Sequence, residues 1–132
     1  MIGIIIQART GSTRYPNKVI KKIHGDKNIL DYLIENLKTL NQRIIVATTN
    51  KTQDDIIVEV ARKNSVDYYR GDEENVLMRY INSAKQYGIS KIIRITGDNV
   101  FIQPELIKPF LHITNDKIDY ATYKINNKIK KT

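Results

Sequence analysis

The sequence predicts an α/β fold built on a mostly parallel sheet, and three observations carry that expectation. Apolar, β-branched runs such as Met1–Ile6 and Arg43–Thr48 are as continuous as a strand buried on both faces requires. Segments with apolar residues at helical spacing lie between them, so strand and helix alternate along the chain, as in a sheet covered by helices on both faces. Each strand candidate also runs into a polar stretch, which is where open sheets of this kind hold their ligands.

The first strand, Met1–Ile6, gives way to the polar stretch Gln7–Lys18. Ile29, Leu30, Leu33, Ile34, Leu37 and Leu40 then repeat at helical spacing, with Lys27 or Asn28 at the start and Asn41 past the end. Arg43–Thr48 (RIIVAT) is the second strand. Thr52 precedes Asp54 and Asp55, which suits an N-cap with acids in the first turn, and Ile56, Ile57, Val60 and Ala61 continue as a helix. Val66–Tyr69 is a short strand with Arg70, Gly71 and Asp72 as the turn after it. Asn75–Tyr87 is a helix carrying Val76, Leu77, Tyr80, Ile81 and Ala84, stopped by Gly88. Lys91–Thr96 (KIIRIT) is a strand leading into Gly97 and Asp98. Pro104 opens a helix to about Leu111, a position that suits proline, and Ile118–Tyr123 is a last strand.

The length of 132 residues fits one domain, 1–132, large enough to bury a core. A balance of 41% hydrophobic and 27% charged residues is that of a globular chain. The absence of cysteine excludes disulfides and thiolate metal sites within it. Met1–Ile6 is too short for a signal peptide, and no apolar run reaches the roughly 20 residues of a membrane helix, so the cytoplasm is the expected compartment. The formal charge is +8, and much of it is local: Lys18, Lys21 and Lys22 form one group, and Lys124, Lys128, Lys130 and Lys131 another. That distribution fits a solvated basic surface or anion binding. No helix-turn-helix or RNA-binding signature accompanies it, so neither nucleic acid nor membrane is an expected partner. His24 and His112 lack partners at ligand spacing and read as structural or surface residues.

Chemistry concentrates in the first loop. A polyphosphate needs backbone donors, which Gly11 permits by close approach, and hydroxyl donors, which Thr10, Ser12 and Thr13 can supply. It also needs cations, and Arg9, Arg14 and Lys18 provide them, the arginines as bidentate forks. Neither GxxxxGK[ST] nor GxGxxG is present, which argues against P-loop ATPases and dehydrogenases. Asp98, at the carboxyl end of its strand, is placed to reach Mg²⁺, an ion usually held by one or two carboxylates plus substrate phosphates. Arg70–Asn75 is a polar segment suited to a nucleobase edge or to a plain helix N-terminus.

The segments IIIQARTGSTRYPNK, IIVATT, YYRGDEENVLMRY and IIRITGDN together resemble the cytidylyltransferase family of surface-polysaccharide biosynthesis. The likeness is strongest to its SpsF-like spore-coat branch, with acylneuraminate and 3-deoxy-manno-octulosonate cytidylyltransferases as relatives. It runs from Ile4 to about Ile107, and the QARxGSTRxPxK and RGxxxNVLxRY patterns are its specific part. The resemblance implies a Rossmann-like, GT-A-like nucleotidyltransferase fold, a three-layer sandwich. It implies transfer of CMP from CTP to a sugar acid with Mg²⁺ and release of pyrophosphate, an EC 2.7.7-type reaction. Arg9, Ser12, Arg14 and Lys18 match residues that hold the triphosphate, and Arg9, Arg14 and Lys18 would also neutralise charge during transfer. Gln7 and Ala8 match the start of that loop. Arg70, Gly71 and Asn75 match the segment beside base and ribose, and Asp98 matches the first metal aspartate.

Family members usually carry a stretch like GDCPLIDP where this chain has GDNVFIQP. Their C-terminal half adds a second metal aspartate, the acceptor pocket and a dimerisation element, so the fold is expected to be C-terminally truncated, with a sheet edge or apolar face seeking cover and a homodimer as one way to cover it. Two other readings stand beside this one: a nucleotide-binding domain without catalysis, and another nucleotidyltransferase or a GT-A-like glycosyltransferase.

Overall fold

The computed structural model of the chain describes residues 1–11, 18–97, 103–111, 120–123 and 129–131. In chain order its elements are β1 (Ile2–Gln7), β2 (Lys22–His24), β3 (Lys27–Asn28), α1 (Ile29–Lys38), β4 (Arg43–Thr49), α2 (Asp55–Lys63), β5 (Asp67–Gly71), α3 (Val76–Tyr87), β6 (Lys91–Thr96), α4 (Pro104–Leu111), β7 (Tyr120–Tyr123) and β8 (Ile129–Lys131). Short 3₁₀ turns at Lys18–Ile20 and Thr52–Asp54 complete the list. The main sheet runs in the order β5-β4-β1-β6-β7-β8. Its first five strands are parallel to their neighbours, and β8 returns antiparallel along β7.

Burial explains why β1 is central. Ile4, Ile5 and Ile6 are all inaccessible to solvent, so both faces of that strand must be covered. Ile4 and Ile6 face one core with Leu30, Leu33, Ile34 and Leu37 of α1, Ile57 and Val60 of α2, and Ile107 of α4. Ile5 faces the other core with Ile45, Ala47, and Tyr80 and Ala84 of α3. Helices thus lie on both faces, giving three layers. Each fully buried leucine or isoleucine contributes about 1.5–3 kcal/mol of transfer free energy.

The helix ends are set by local chemistry. Asn28 caps α1 by accepting from Asp31 N–H at 2.8 Å, and Asp31 accepts from Asn28 N–H at 2.9 Å, a reciprocal capping box. Asp31 is only 1% exposed and also receives Lys63 Nζ at 3.0 Å and Asn64 Nδ2 at 2.8 Å, tying the start of α1 to the end of α2. Gly88 ends α3 at φ 68°, the left-handed conformation that glycine adopts freely.

Four expectations change. Thr52 is not an N-cap: it opens the 3₁₀ turn, and Asp54 occupies the cap position with its carboxylate turned elsewhere. Residues 22–28, to which no element was assigned, form the β2–β3 hairpin, whose turn Gly25 makes at φ 58°. The third parallel strand continues through Arg70 and Gly71, which were read as a turn. The basic tail is not wholly a solvated extension, because Ile129–Lys131 pairs with Tyr123–Ala121.

Burial opposes ionisation of Asp31, but the hydrogen bonds from Asn28, Asn64 and Lys63 outweigh it and hold its carboxyl below the ordinary carboxylate value. A depressed acid stabilises the fold above its unfolded pKa, about 4, and loses that contribution as pH falls through the lower folded value. Asp31→Asn is expected to lower stability by about 1–2 kcal/mol at pH 7. Urea unfolding should show the gap from wild type closing below pH 4; a gap that is constant down to pH 2 would contradict this account.

Candidate functional site

The sheet order fixes where a site can form. From β1 the chain moves through α1 to β4 on one side and, after β5 and α3, returns to β6 on the other. The carboxyl end of β1 is therefore the point at which the winding reverses, the usual ligand crevice of an open α/β sheet. Backbone bonds draw the strand ends together there. Ala8 N–H donates to Ala47 O at 3.0 Å, Asn50 N–H to Gly71 O at 3.0 Å, and Gly97 N–H to Gln7 O at 2.7 Å. A Cβ on Gly97 would stand 2.9 Å from Ala8 Cβ and 3.0 Å from Gln7 O, so the turn leading to Asp98 packs directly on the start of the first loop.

The root of that loop is pinned by a carboxylate. Asp54 is fully buried, and its Oδ1 accepts both the N–H and the hydroxyl of Thr10, each at 2.8 Å. Its Oδ2 accepts the hydroxyl of Thr49 from the end of β4. This buried anion therefore has donors from two strand ends, the condition under which burial of a charge is tolerated. It also corrects the reading of Thr10, which is 4% exposed and whose hydroxyl is spent on Asp54 and not offered to a phosphate.

The segment after β5 closes the other side. Glu73 meets Lys51 at 3.2 Å and lies about 4.0 Å from where a Cβ on Gly11 would be. Arg9 folds over its own loop, Nη1 donating to Gly11 O at 3.2 Å. Arg70 donates to Thr49 O at 2.8 Å, Lys51 O at 2.7 Å and Asp55 Oδ1 at 2.7 Å, so its guanidinium straps β5 to the turn before α2. Asn75 caps α3, its Oδ1 accepting Met78 N–H at 3.2 Å. Gly71 makes room for a buried arginine: a Cβ there would lie 2.9 Å from Arg79 Cγ.

Of the residues expected at the site, Gln7, Ala8, Arg9 and Gly11 lie at the carboxyl end of β1, and Gly71 lies at the end of β5, two strands away. Arg70 and Asn75 are close by, with Arg70 donating to two carbonyls and the Asp55 carboxylate and Asn75 Oδ1 accepting the Met78 amide. Ser12, Arg14 and Asp98 fall outside the described residues, as does the side chain of Lys18, whose backbone opens the turn Lys18–Ile20. The expectation missed Asp54, Lys51, Glu73 and Arg79. Three of them left a signal: Asp54 as one of two adjacent acids after a Thr-rich strand end, read as a helix-dipole residue, Glu73 inside the polar segment Arg70–Asn75, and Arg79 as the second arginine of the RGxxxNVLxRY pattern.

The model of the cytidylyltransferase family matches residues 3–132. The chain belongs to this family. An uncharacterized protein of Methanocaldococcus jannaschii is 46% identical over 127 residues, covering 94% of this chain and 51% of its own length. The spore coat polysaccharide biosynthesis protein SpsF of Bacillus subtilis is 36% identical over 131 residues, covering 95% of this chain and 54% of its own. The solved structure of a cytidylyltransferase from Leptospira borgpetersenii superposes with a TM-score of 0.79 at 37% identity, over 89% of this chain and 51% of that one. The chain thus spans about half the length of the relatives it matches, and its Rossmann-like three-layer architecture is that of cytidylyltransferase structures.

Two outcomes test the geometry. Asp54→Ala strands the Thr10 amide and the Thr49 hydroxyl and is expected to destabilise the fold by about 3 kcal/mol, since hydrogen bonds to a charged group contribute about 1.5–3 kcal/mol each. Hydrogen exchange should show the Thr10 amide losing its protection in that variant. Gly97→Ala, which presses on backbone, is expected to cost about 1–3 kcal/mol in denaturant unfolding; an unchanged midpoint would deny the close approach.

Proposed function

We propose that this cytidylyltransferase-family chain binds CTP at the carboxyl end of β1 and carries the nucleotide half of a transfer of CMP to a sugar acid, with Mg²⁺ and release of pyrophosphate. One observation supports this reading above the others: the first loop leaves the switch point of the sheet with its root fixed by Asp54 and by Gly97. A loop with several cations repels itself, and a rigid root lets it meet a polyphosphate without reordering.

Arg9, Arg14 and Lys18 are proposed to neutralise the triphosphate, with Gly11 and Ser12 giving it backbone and hydroxyl donors. A sugar hydroxyl attacks the α-phosphorus in line, the new P–O bond forming as the bond to pyrophosphate breaks and the hydroxyl proton leaves to solvent. Stabilisation then comes from orientation and fixed charge, without a strong general base. What supports a place for Mg²⁺ is the contact of Gly97, the residue before Asp98, with Gln7 and Ala8 at the start of the first loop. Asp98 would hold the ion, which would offset charge on the phosphates. The sugar-acid acceptor is supported by the sequence likeness to 3-deoxy-manno-octulosonate cytidylyltransferases such as that of Geobacter sulfurreducens, 31% identical over 108 residues. We place the reaction in the cytoplasm, where nucleoside triphosphates are made.

A thermal-shift panel of nucleotides with Mg²⁺ tests the nucleotide: CTP should raise the melting midpoint most, and preferential stabilisation by GTP or UTP would sink the assignment. Arg14→Ala and Lys18→Ala are each expected to weaken CTP binding at least about tenfold with little change in the ligand-free midpoint. Pyrophosphate release with candidate sugar acids separates transfer from binding alone.

A further inference from the structure

Arg79 has no part in the site as described so far, and it is an unusual residue for a fold to bury. It lies one turn into α3 and is 2% exposed. Its Nη1 donates to the carbonyls of Asp72 and Glu73, both at 3.2 Å. Among the described residues, its Nε and Nη2 are buried with no hydrogen-bond partner. A guanidinium stripped of water with most of its donors idle is costly, and a fold that needed only volume there would use an apolar side chain. The sheet also makes way for it, since a side chain at position 71 would collide with Arg79 Cγ.

Its surroundings give the idle donors a purpose. The Asp72–Glu73 segment that Arg79 holds leans on the first loop, because Glu73 Oε2 lies about 4.0 Å from the Cβ position of Gly11 and Arg9 Nη1 lies 3.8 Å from the same point. Arg79 therefore reaches from α3 towards the corner that Arg9 approaches from the loop. Burial first, and then the charge of Arg9, depress the Arg79 guanidinium below the ordinary arginine value, against the opposing influence of Asp54 and Glu73. Asp54, the buried carboxylate of this corner, is committed to Thr10 and Thr49.

We infer that Arg79 is a ligand-binding residue whose unpartnered Nε and Nη2 complete their hydrogen bonds on a phosphate oxygen of the nucleotide, shared with Arg9. This rests on the nucleotide reading above and adds a second wall to it: the phosphate is gripped from the loop and from α3.

The test titrates CTP and, separately, inorganic tripolyphosphate into the wild-type protein, Arg79→Lys and Arg79→Met. Both variants are expected to bind both ligands at least tenfold more weakly, while ligand-free Arg79→Met melts no lower than wild type because it removes a half-satisfied buried charge. A purely structural arginine would do the reverse, lowering the midpoint and leaving affinity alone; that result overturns the inference. Loss of CTP binding with tripolyphosphate affinity intact also overturns it, since Arg79 would then serve the base or ribose. Should Arg79→Met fail to fold, Arg79→Lys decides. Wild-type binding of CTP with unaffected variants defeats the inference alone, whereas arginine-dependent binding of tripolyphosphate without CTP defeats the nucleotide reading alone.

Discussion

The buried carboxylate of Asp54 is the contact on which the crevice depends. It stands in the turn after β4 and accepts from Thr10 beyond β1, 44 residues earlier in the chain, so one side chain joins two strand ends. Without it, the Thr10 amide would be a buried donor without a partner, and the loop that follows would leave the sheet at no fixed angle. The negative charge also lies at the base of a loop rich in arginine and lysine, where it offsets repulsion without competing for solvent-side donors. Because the Thr10 amide is consumed in this way, the donors available to a ligand begin at Gly11. The anchor and the grip are adjacent in sequence and separate in role.

Around this anchor the remaining contacts differ in strength, and the difference has a consequence. The approach of Gly97 to Gln7 and Ala8 is backbone on backbone and can yield only by moving a strand end. The Lys51–Glu73 pair is partly exposed, the kind of contact that contributes roughly 0–1 kcal/mol and exchanges readily for a ligand group. Arg9 is turned back onto Gly11 O, a neutral acceptor. The backbone frame is therefore stiffer than the charged groups that line it.

Features written in local periodicity were legible in the sequence. The run IGIII, the spacing of Leu30, Leu33, Ile34 and Leu37, and the stop at Gly88 each follow from neighbours within one or two turns, and each appears in the structure. The convergence of four strand ends was legible too, because parallel topology dictates it. Long-range hydrogen bonding was not. Thr10 offers a hydroxyl in a loop that looks built for phosphate, and only the fold shows that Asp54 claims it. Arg70 has the residue type of a base reader, yet three acceptors at the β4–α2 turn take its guanidinium. Residues 22–28 escaped notice because β2 and β3 are a short, solvent-exposed pair with little apolar alternation.

Arg79 shows the same limit from the other side. By periodicity it is one cation on a helix whose apolar residues fall at regular spacing, and only its place in the RGxxxNVLxRY pattern sets it apart from a solvated arginine such as Arg62. Its burial is decided by Gly71, eight positions away on a neighbouring strand, which leaves space for its methylenes. A helix in a sandwich of this size gains stability from every apolar contact with the sheet, so placing a guanidinium there runs against the economy of the core. The carbonyls of Asp72 and Glu73 satisfy one nitrogen and leave two, which is a worse bargain than either a full network or none. Such a residue is understandable where stability is not the quantity being maximised, and its position beside the anchored loop is where binding competes with stability most directly.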